Sequence, residues 1–161
     1  MLYVDTSVIV KLYFKERYSS KVSEWIKTNN EAIPLTSMHE LEFINAVNLK
    51  RFRNEITKDI AEFIFSNFKN HEEDGVYFRP SINWPEVYQN TFDLSKEFTD
   101  KIGSRSLDII HVAAALTLGA DRFLTLDIRQ EKLVSLTPMK VVNLNLSSTL
   151  KHLDSPVRAG E

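Results

Sequence analysis

Short apolar runs alternate with segments of helical periodicity along most of the chain. The first run, Leu2 to Val4, ends at Asp5 and leads into a segment in which Val8 and Leu12 recur at the spacing of one helix face. The same pattern predicts strands at about 32–36, 121–126 and 139–142, a short extended segment at 76–80, and helices over about 19–29, 37–53, 57–70, 84–102, 107–118 and 128–136. Strands that alternate with helices in this way indicate an α/β fold whose parallel sheet is covered by helices on both faces.

The helix predicted over 37–53 carries both a start signal and a buried acid. Ser37-Met-His-Glu40 fits a capping box, in which Ser37 bonds to the N–H of the third residue and Glu40 reaches back to the helix start. The rest of the segment is apolar almost all round, which predicts a helix that is buried on most sides. Glu42 would then lie in apolar surroundings, where a carboxylate is expensive unless something pairs with it.

The length of 161 residues suits one domain, and 43% apolar residues are enough for one well-filled core. We expect the domain to span 1–146, because the composition turns to Ser, Thr, Lys and Gly beyond that point. Residues 147–161 are predicted to form a loosely attached polar tail.

The formal net charge of −2 gives the chain no global basic field. A nucleic-acid partner would therefore have to be held by a local patch or by bound cations. The sequence contains no cysteine, which excludes disulfides and thiolate metal sites and fits a reducing compartment. No apolar run approaches the roughly 20 residues of a membrane span, so we expect a soluble, cytoplasmic protein.

Two carboxylates directly follow predicted strands. Asp5 ends the first strand, and Asp127 ends the strand at 121–126. Parallel strands deliver such acids to the same edge of a sheet, where ligands collect in open α/β folds. The structural alternative is that each acid caps the helix that follows, and Asp127-x-x-Gln130 has the spacing of a capping box.

Further acids lie in or near the starts of helices. Asp108 stands near the beginning of the alanine-rich helix, where interaction with the helix dipole is its structural alternative. Spacing does not decide whether Glu40 or Glu42 is the candidate acid of the site. The capping box would already employ Glu40, however, and leaves Glu42 without a local explanation.

Four acids in a chain without a basic excess indicate a shared role. Clustered carboxylates repel each other, and their pKa values rise until a divalent cation offsets the repulsion. Hard oxygen ligands suit Mg²⁺ or Mn²⁺ rather than zinc. A site of this kind serves phosphoryl transfer, in which the metal activates a water and screens the phosphate.

The four acids stand in motifs that resemble those of the PIN domain family. In the family's order, the matching segments are Val4-Asp5-Thr6-Ser7, Glu42-Phe-Ile-Asn45-Ala46, Leu107-Asp108-Ile-Ile-His111-Val-Ala-Ala-Ala115 and Leu124-Thr125-Leu126-Asp127. The resemblance covers residues 1 to about 145. It implies a three-layer α/β/α fold with a central parallel sheet and a ribonuclease that depends on Mg²⁺ or Mn²⁺. The implied catalytic and metal-binding acids are Asp5, Glu42, Asp108 and Asp127, with Thr6 and Thr125 beside them.

The Glu-x-x-Asn-Ala pattern of the family also supports Glu42 over Glu40. The resemblance is closest to short single-domain toxins of VapC type, which pair with an antitoxin and commonly dimerise. It therefore implies an RNA substrate, a cognate antitoxin, a homodimer and no membrane partner. The inserted middle of the chain, about 55–81, is where the family pattern fits least.

Three basic side chains flank the acids. His111 lies one helical turn from Asp108, so it either touches the site or packs within the alanine-rich helix. Arg105 and Arg129 are candidates to hold RNA phosphates. The other histidines, His39, His71 and His152, do not have the spacing of metal ligands. The aromatic stripe at 57–70, which contains Phe63 and Phe68, is expected in the core.

Two other functions compete with the nuclease. A phosphatase of the haloacid dehalogenase type also begins with a strand that ends in Asp, but its chemistry needs a second Asp two residues later, where this chain has Ser7. The other alternative is a catalytically inactive PIN-like module that binds RNA or a partner protein. The full set of acids argues against this module, whereas the lack of a basic groove favours it.

Overall fold

The structure, a computed structural model, describes residues 1–144 of the chain, and the tail predicted at 147–161 lies outside the described residues. Strands and helices follow one another within this range in the order β1 Leu2–Val4, α1 Thr6–Val10, α2 Ser19–Asn29, β2 Ile33–Pro34, α3 Ser37–Phe52, α4 Lys58–Glu73, β3 Tyr77–Phe78, α5 Trp84–Ile102, α6 Ser106–Thr117, β4 Arg122–Leu124, α7 Ile128–Val134 and β5 Lys140–Val141. The order of elements is the one that the hydrophobic pattern predicts.

All strand pairs among the described residues are parallel. β4 is the middle strand of one sheet, with β1 and β5 on either side, and Val4 of β1 lies opposite Leu124 of β4. β2 and β3 form a second ladder, in which Ile33 lies opposite Tyr77. The prediction of a parallel sheet is therefore confirmed, although the sheet is divided into two ladders.

β1 and β2 lie next to each other without forming a strand ladder, and side chains bond the backbone groups of β1 on that side. The backbone N–H of Leu2 donates to Glu31 Oε1 over 2.9 Å, and His39 Nε2 donates to the carbonyl of Val4 over 2.9 Å. Backbone groups that are buried need a partner, and here side chains supply it in place of a strand.

Each face of the sheet packs against its own layer of helices. Because side chains alternate along a strand, Leu2 and Val4 pack with α1 to α4, whereas Tyr3 packs with α5 to α7. The strand β4 divides in the same way, with Leu124 in the first core and Phe123 in the second. The expected three-layer α/β/α arrangement is confirmed.

Local signals mark the ends of α4 and α5. The hydroxyl of Thr57 caps α4 by accepting from the N–H of Ile60, and Asn83 caps α5 through the N–H of Glu86. Gly103 ends α5 with φ at 71°, a conformation that glycine adopts without strain. The inserted middle of the chain folds as α4 and β3.

The capping box predicted at Ser37 and Glu40 is wrong by one residue. Thr36 is the N-cap of α3: its hydroxyl accepts from the N–H of His39, and Nδ1 of His39 accepts from the N–H of Thr36 over 3.0 Å. Glu40 instead receives a hydrogen bond of 2.7 Å from Arg79. An imidazole nitrogen thus does the work that the sequence pattern assigned to a carboxylate.

The expectation that α3 is buried on most sides is also wrong. His39, Phe43 and Val47 face the core, but the opposite side carries Leu41 and Phe52 with 64% and 83% of their surface exposed. α3 lies in an outer layer, so only one of its faces meets the sheet. In α4, Phe68 belongs to the core as predicted, whereas Phe63 is 64% exposed and does not.

No helix among the described residues is long and apolar enough to cross a membrane.

Candidate active site

The structure places Asp5 and Asp127 at the same edge of the β1–β4–β5 sheet. Asp5 follows β1 directly, and Asp127 lies three residues beyond the last residue of β4; the two strands run parallel in register. Both acids also cap helices. Asp5 accepts from the N–H of Ser7 over 3.1 Å, and Asp127 accepts from the N–H of Arg129 over 2.7 Å. Capping holds these carboxylates at the sheet edge, so the structural role and a role in the site coexist.

The other two acids come from helices on opposite sides of the sheet. Glu42 lies on α3, in the first layer, and its carboxylate receives a hydrogen bond of 2.6 Å from Nε2 of His111 on α6. Asp108 lies at the start of α6, where its Oδ2 accepts from the backbone N–H of Arg105 over 3.3 Å. The edge of the sheet thus collects acids from both layers.

His111 lies between Glu42 and Asp5. Its ring is buried, with Nε2 at 2.6 Å from Glu42 Oε2 and 4.0 Å from Asp5 Oδ1, and with Nδ1 at 3.0 Å from the hydroxyl of Tyr3. The hydroxyl of Thr6 lies 3.3 Å from Nε2. Of the two predicted alternatives for this residue, the structure supports contact with the acids.

Electrostatics favour a charged pair of His111 and Glu42. Burial would lower the pKa of His111, but the hydrogen bond to Glu42 and the charges of Asp5, Glu42 and Asp108 raise the pKa above its usual value. Burial would in turn raise the pKa of Glu42, but the hydrogen bond and charge of His111 lower it. Both shifts stabilise an imidazolium next to a carboxylate.

Gln130 connects Asp5 to α6. Its Nε2 donates to Asp5 Oδ1 over 3.3 Å and to the backbone carbonyl of Asp108 over 3.4 Å. The capping box considered for Asp127 and Gln130 is therefore absent, and the hydroxyl of Thr125 accepts from the N–H of Asp127 over 3.0 Å. Within residues 1–144, Oε1 of Gln130 is buried without a hydrogen-bond partner.

Arg105 bridges the remaining two acids. Its Nε lies 3.2 Å from Asp108 Oδ2, and its Nη2 lies 2.9 Å from Asp127 Oδ2. The side chain of Arg105 is 65% exposed, so it can leave the acids at small cost. Arg129 is exposed beside Asp127, to which it donates its backbone N–H.

The four acids therefore form one polar network, but protein cations stand between them. His111 separates Glu42 from Asp5, and Arg105 spans Asp108 and Asp127. Among the described residues, no three acidic or histidine side chains converge closely enough to hold a metal ion in this arrangement. The chemistry of the donor set, all carboxylate oxygens, suits Mg²⁺ or Mn²⁺. An added cation would have to replace the positive charge that Arg105 now supplies.

Two participants in this network were not predicted from sequence. Tyr3 looks like one more apolar residue of a buried strand, and Gln130 looks like part of a cap. A signal for Tyr3 exists, because a buried tyrosine hydroxyl usually has a partner and residues two apart in a strand share a face. Tyr3 stands two residues before Asp5.

Comparison with known proteins identifies the family. A family model described as PIN domain matches residues 2–135, a range that includes all four acids. The chain belongs to the PIN domain family. PIN domains are typically nucleases that use divalent metals, so membership supports a nuclease at this coarse level and not a phosphatase of the haloacid dehalogenase type.

Solved PIN-like structures share the fold with low sequence identity. They include FitAcB from Neisseria gonorrhoeae, with 15% sequence identity and a TM-score of 0.61. VapBC2 from Rickettsia felis bound to a DNA fragment from their promoter has 17% identity and a TM-score of 0.60. VapBC-1 from nontypeable Haemophilus influenzae has 14% identity and a TM-score of 0.60. Each similarity covers 89% of this chain and 98% of the other. No curated protein matches the sequence significantly.

Proposed function

We propose that this PIN domain is a cytoplasmic endoribonuclease that depends on Mg²⁺ or Mn²⁺ and acts as the toxin of a toxin–antitoxin pair. The observation that carries the proposal is the single network at the sheet edge, to which the segments after β1 and β4 and the helices α3 and α6 each contribute one acid. Helix capping accounts for Asp5 and Asp127 one at a time, but it does not account for four carboxylates in one network of a chain with a net charge of −2.

The residues that would hold the cation are Asp5, Glu42, Asp108 and Asp127. When bound, the cation supplies a positive charge that screens the phosphodiester and makes a water molecule a better nucleophile. Asp5 and Asp127 are held by the helices they cap, and Glu42 is held by His111. These contacts hold three of the four acids at the sheet edge, where displacement of Arg105 would let the acids converge on the cation.

Arg105 is proposed to contact an RNA phosphate. Its guanidinium is exposed at the mouth of the acid network and carries a planar set of donors that matches phosphate oxygens. Release from Asp108 and Asp127 would make those donors available at the point where the acids bind the cation. Arg129, exposed beside Asp127, is the second candidate for such a contact.

A protein partner is supported by the structural neighbours, which are toxin–antitoxin complexes. The chain also exposes large apolar side chains on its outer helices, among them Leu41 and Phe52 of α3, Phe63 of α4 and Phe92 of α5. Apolar surface of this kind is typical of contact regions, which is consistent with an antitoxin and with a homodimer.

The first test is the variant Asp127→Asn. Asparagine is nearly as good an N-cap as aspartate, so the free energy of unfolding should change by less than about 1 kcal/mol. Cleavage of a mixed RNA pool in Mn²⁺ should fall by at least about 100-fold, which is the usual effect of removing one electrostatic group from an active site. Cleavage is measured by mapping new RNA ends, and stability is measured by thermal melting.

The matched control is Asp100→Asn, which makes the same chemical change at an exposed position on α5. It should retain wild-type cleavage. Full cleavage by Asp127→Asn, with any change confined to melting, would show that Asp127 only caps α7 and would overturn the proposal.

The second candidate function is an inactive PIN-like module that binds RNA or a partner. The arrangement of Arg105 and His111 favours it, because both cations already neutralise the acids. A wild-type protein that binds RNA but produces no new ends at any Mn²⁺ concentration would establish this alternative.

A further inference from the structure

Tyr3 is a polar side chain in the middle of an otherwise apolar strand. It is fully buried and faces the layer that contains α6. Its ring stacks on Phe123 at 5.2 Å between centroids and lies 4.9 Å from the ring of His39. Packing on both sides fixes the ring, so the hydroxyl can occupy only a small region.

The hydroxyl of Tyr3 contacts the histidine of the His111–Glu42 pair, and its ring contacts the helix that carries Glu42. The hydroxyl lies 3.0 Å from Nδ1 of His111, and the Tyr3 ring lies 4.9 Å from the ring of His39 in the first turn of α3. Glu42 belongs to α3 and accepts from His111. Tyr3 is therefore in contact with the start of the helix that carries Glu42 and with the histidine that orients Glu42.

This contact controls which nitrogen of His111 carries a proton. The Tyr3 hydroxyl carries its proton at neutral pH, as tyrosine ordinarily does. If the His111 ring is neutral, Tyr3 donates to Nδ1 and the ring proton lies on Nε2. If the ring is charged, Nδ1 donates to Tyr3 and Nε2 still carries a proton. In both states an N–H points at Glu42 Oε2.

We propose that Tyr3 is a positioning residue that acts through His111 to hold the Glu42 carboxylate in the acid network. The inference rests on the proposed function in that Glu42 is one of the residues that would bind the cation. Outer partners of metal-binding groups typically change metal affinity by 10–100-fold when they are removed. A tyrosine that served only to fill the core would lack this effect.

The test compares Tyr3→Phe with Tyr77→Phe. Each change removes one buried hydroxyl; Tyr77 bonds Tyr13 over 3.0 Å in the other core, away from the acids. Mn²⁺ alone is titrated into each full-length protein by calorimetry. Both variants should lose some stability, but only Tyr3→Phe should weaken Mn²⁺ binding, by roughly 10-fold.

A double-mutant cycle separates positioning from a general structural effect. If Tyr3 acts through His111, Tyr3→Phe should weaken Mn²⁺ binding in the wild type but not further in a His111→Leu background. His111→Gln, which keeps an amide donor for Glu42, should recover part of the affinity that His111→Leu loses. Equal losses from Tyr3→Phe in both backgrounds would overturn the inference.

A spectroscopic measurement does not depend on the metal. The short hydrogen bond from His111 to Glu42 should give a downfield imidazole N–H resonance in the proton NMR spectrum, assigned by its loss in His111→Gln. Tyr3→Phe should broaden or shift this resonance, and Tyr77→Phe should leave it unchanged.

If the wild type binds no Mn²⁺, the proposed function fails. If the wild type binds Mn²⁺, and Tyr3→Phe binds it equally and keeps the resonance, the positioning inference fails while the function stands.

Discussion

Two buried histidines lie side by side at the sheet edge in opposite electrostatic surroundings. The ring centroids of His39 and His111 are 5.0 Å apart. Burial and the neighbouring charge of His111 lower the pKa of His39 to about 3, whereas the surrounding acids raise the pKa of His111. His39 therefore serves as a neutral structural group, with Nε2 donating to Val4 and Nδ1 accepting from Thr36.

The lowered pKa of His39 predicts a specific dependence of stability on pH. Between pH 6.5 and 3 the unfolded chain binds a proton at this residue and the native state does not, so stability falls as the pH decreases. The contribution has a slope of up to about 1.4 kcal/mol per pH unit. Urea unfolding at several pH values should show this slope in the wild type and a smaller one in His39→Gln.

The comparison between the wild type and His39→Gln isolates the contribution of His39, because the carboxylates and His111 contribute to the pH dependence of stability in both proteins. His71→Gln is a suitable second control, since it removes a histidine that bonds Tyr13 outside the acid network. Parallel curves for the wild type and His39→Gln would contradict the assignment of a neutral His39.

At the scale of elements, α3 shows which features of a helix are determined by local sequence pattern and which are determined by packing. The position and length of the helix follow from periodicity, and the strands and helices elsewhere begin and end close to their predicted residues. The cap was misassigned because Thr36 and Ser37 are both good N-caps, and only the folded chain shows that His39 accepts from Thr36. An outward apolar face looks like a buried one in sequence, since periodicity does not reveal what covers it.

α3 also carries the pair of glutamates whose roles the sequence could not separate by spacing. Glu40→Gln should retain cleavage and stability, because Glu40 contacts Arg79 in a half-exposed ion pair worth about 0–1 kcal/mol. Glu42→Gln should abolish RNA cleavage without unfolding the chain, since it removes a charge from the acid network. Cleavage assays and circular dichroism on both variants check the division.

These two variants are each other's control, because the chemical change is the same and the positions are two residues apart. Comparable loss of cleavage in both would show that the roles are wrongly divided. Thr36 and His39 form the cap that the sequence pattern assigned to Glu40, so Glu40 is expected to be dispensable because its contact with Arg79 is exposed.

At the scale of the whole molecule, the site lies where both helical layers meet one sheet edge. Parallel topology made the positions of Asp5 and Asp127 predictable, because register places both strand ends together. The link from Tyr3 to His111 spans 108 residues, and no local pattern specifies it. Arg105 reaches Asp127 only because α6 and α7 pack next to each other, so its place between two acids could not be predicted from spacing.

A cation bound at this edge should stabilise the entire fold, because its ligands would come from both layers and from the sheet between them. Binding to the native state alone adds about 2.7 kcal/mol at 100 times the dissociation constant. For a domain of this size that corresponds to an increase in melting temperature of roughly 5–10 °C. We expect Mg²⁺ or Mn²⁺ to produce such an increase, as measured by differential scanning calorimetry at rising metal concentration.

Asp5→Asn should weaken this response, because it removes one charge from a network in which Gln130 and His111 already neighbour the carboxylate. Its effect on stability without metal should be small, since asparagine still caps α1. Asp100→Asn should respond to metal like the wild type, which excludes a general effect of lowering the negative charge. A wild-type melting curve that millimolar metal leaves unchanged would count against a cation site in this protein, because any ion that binds only the folded chain must raise its melting temperature.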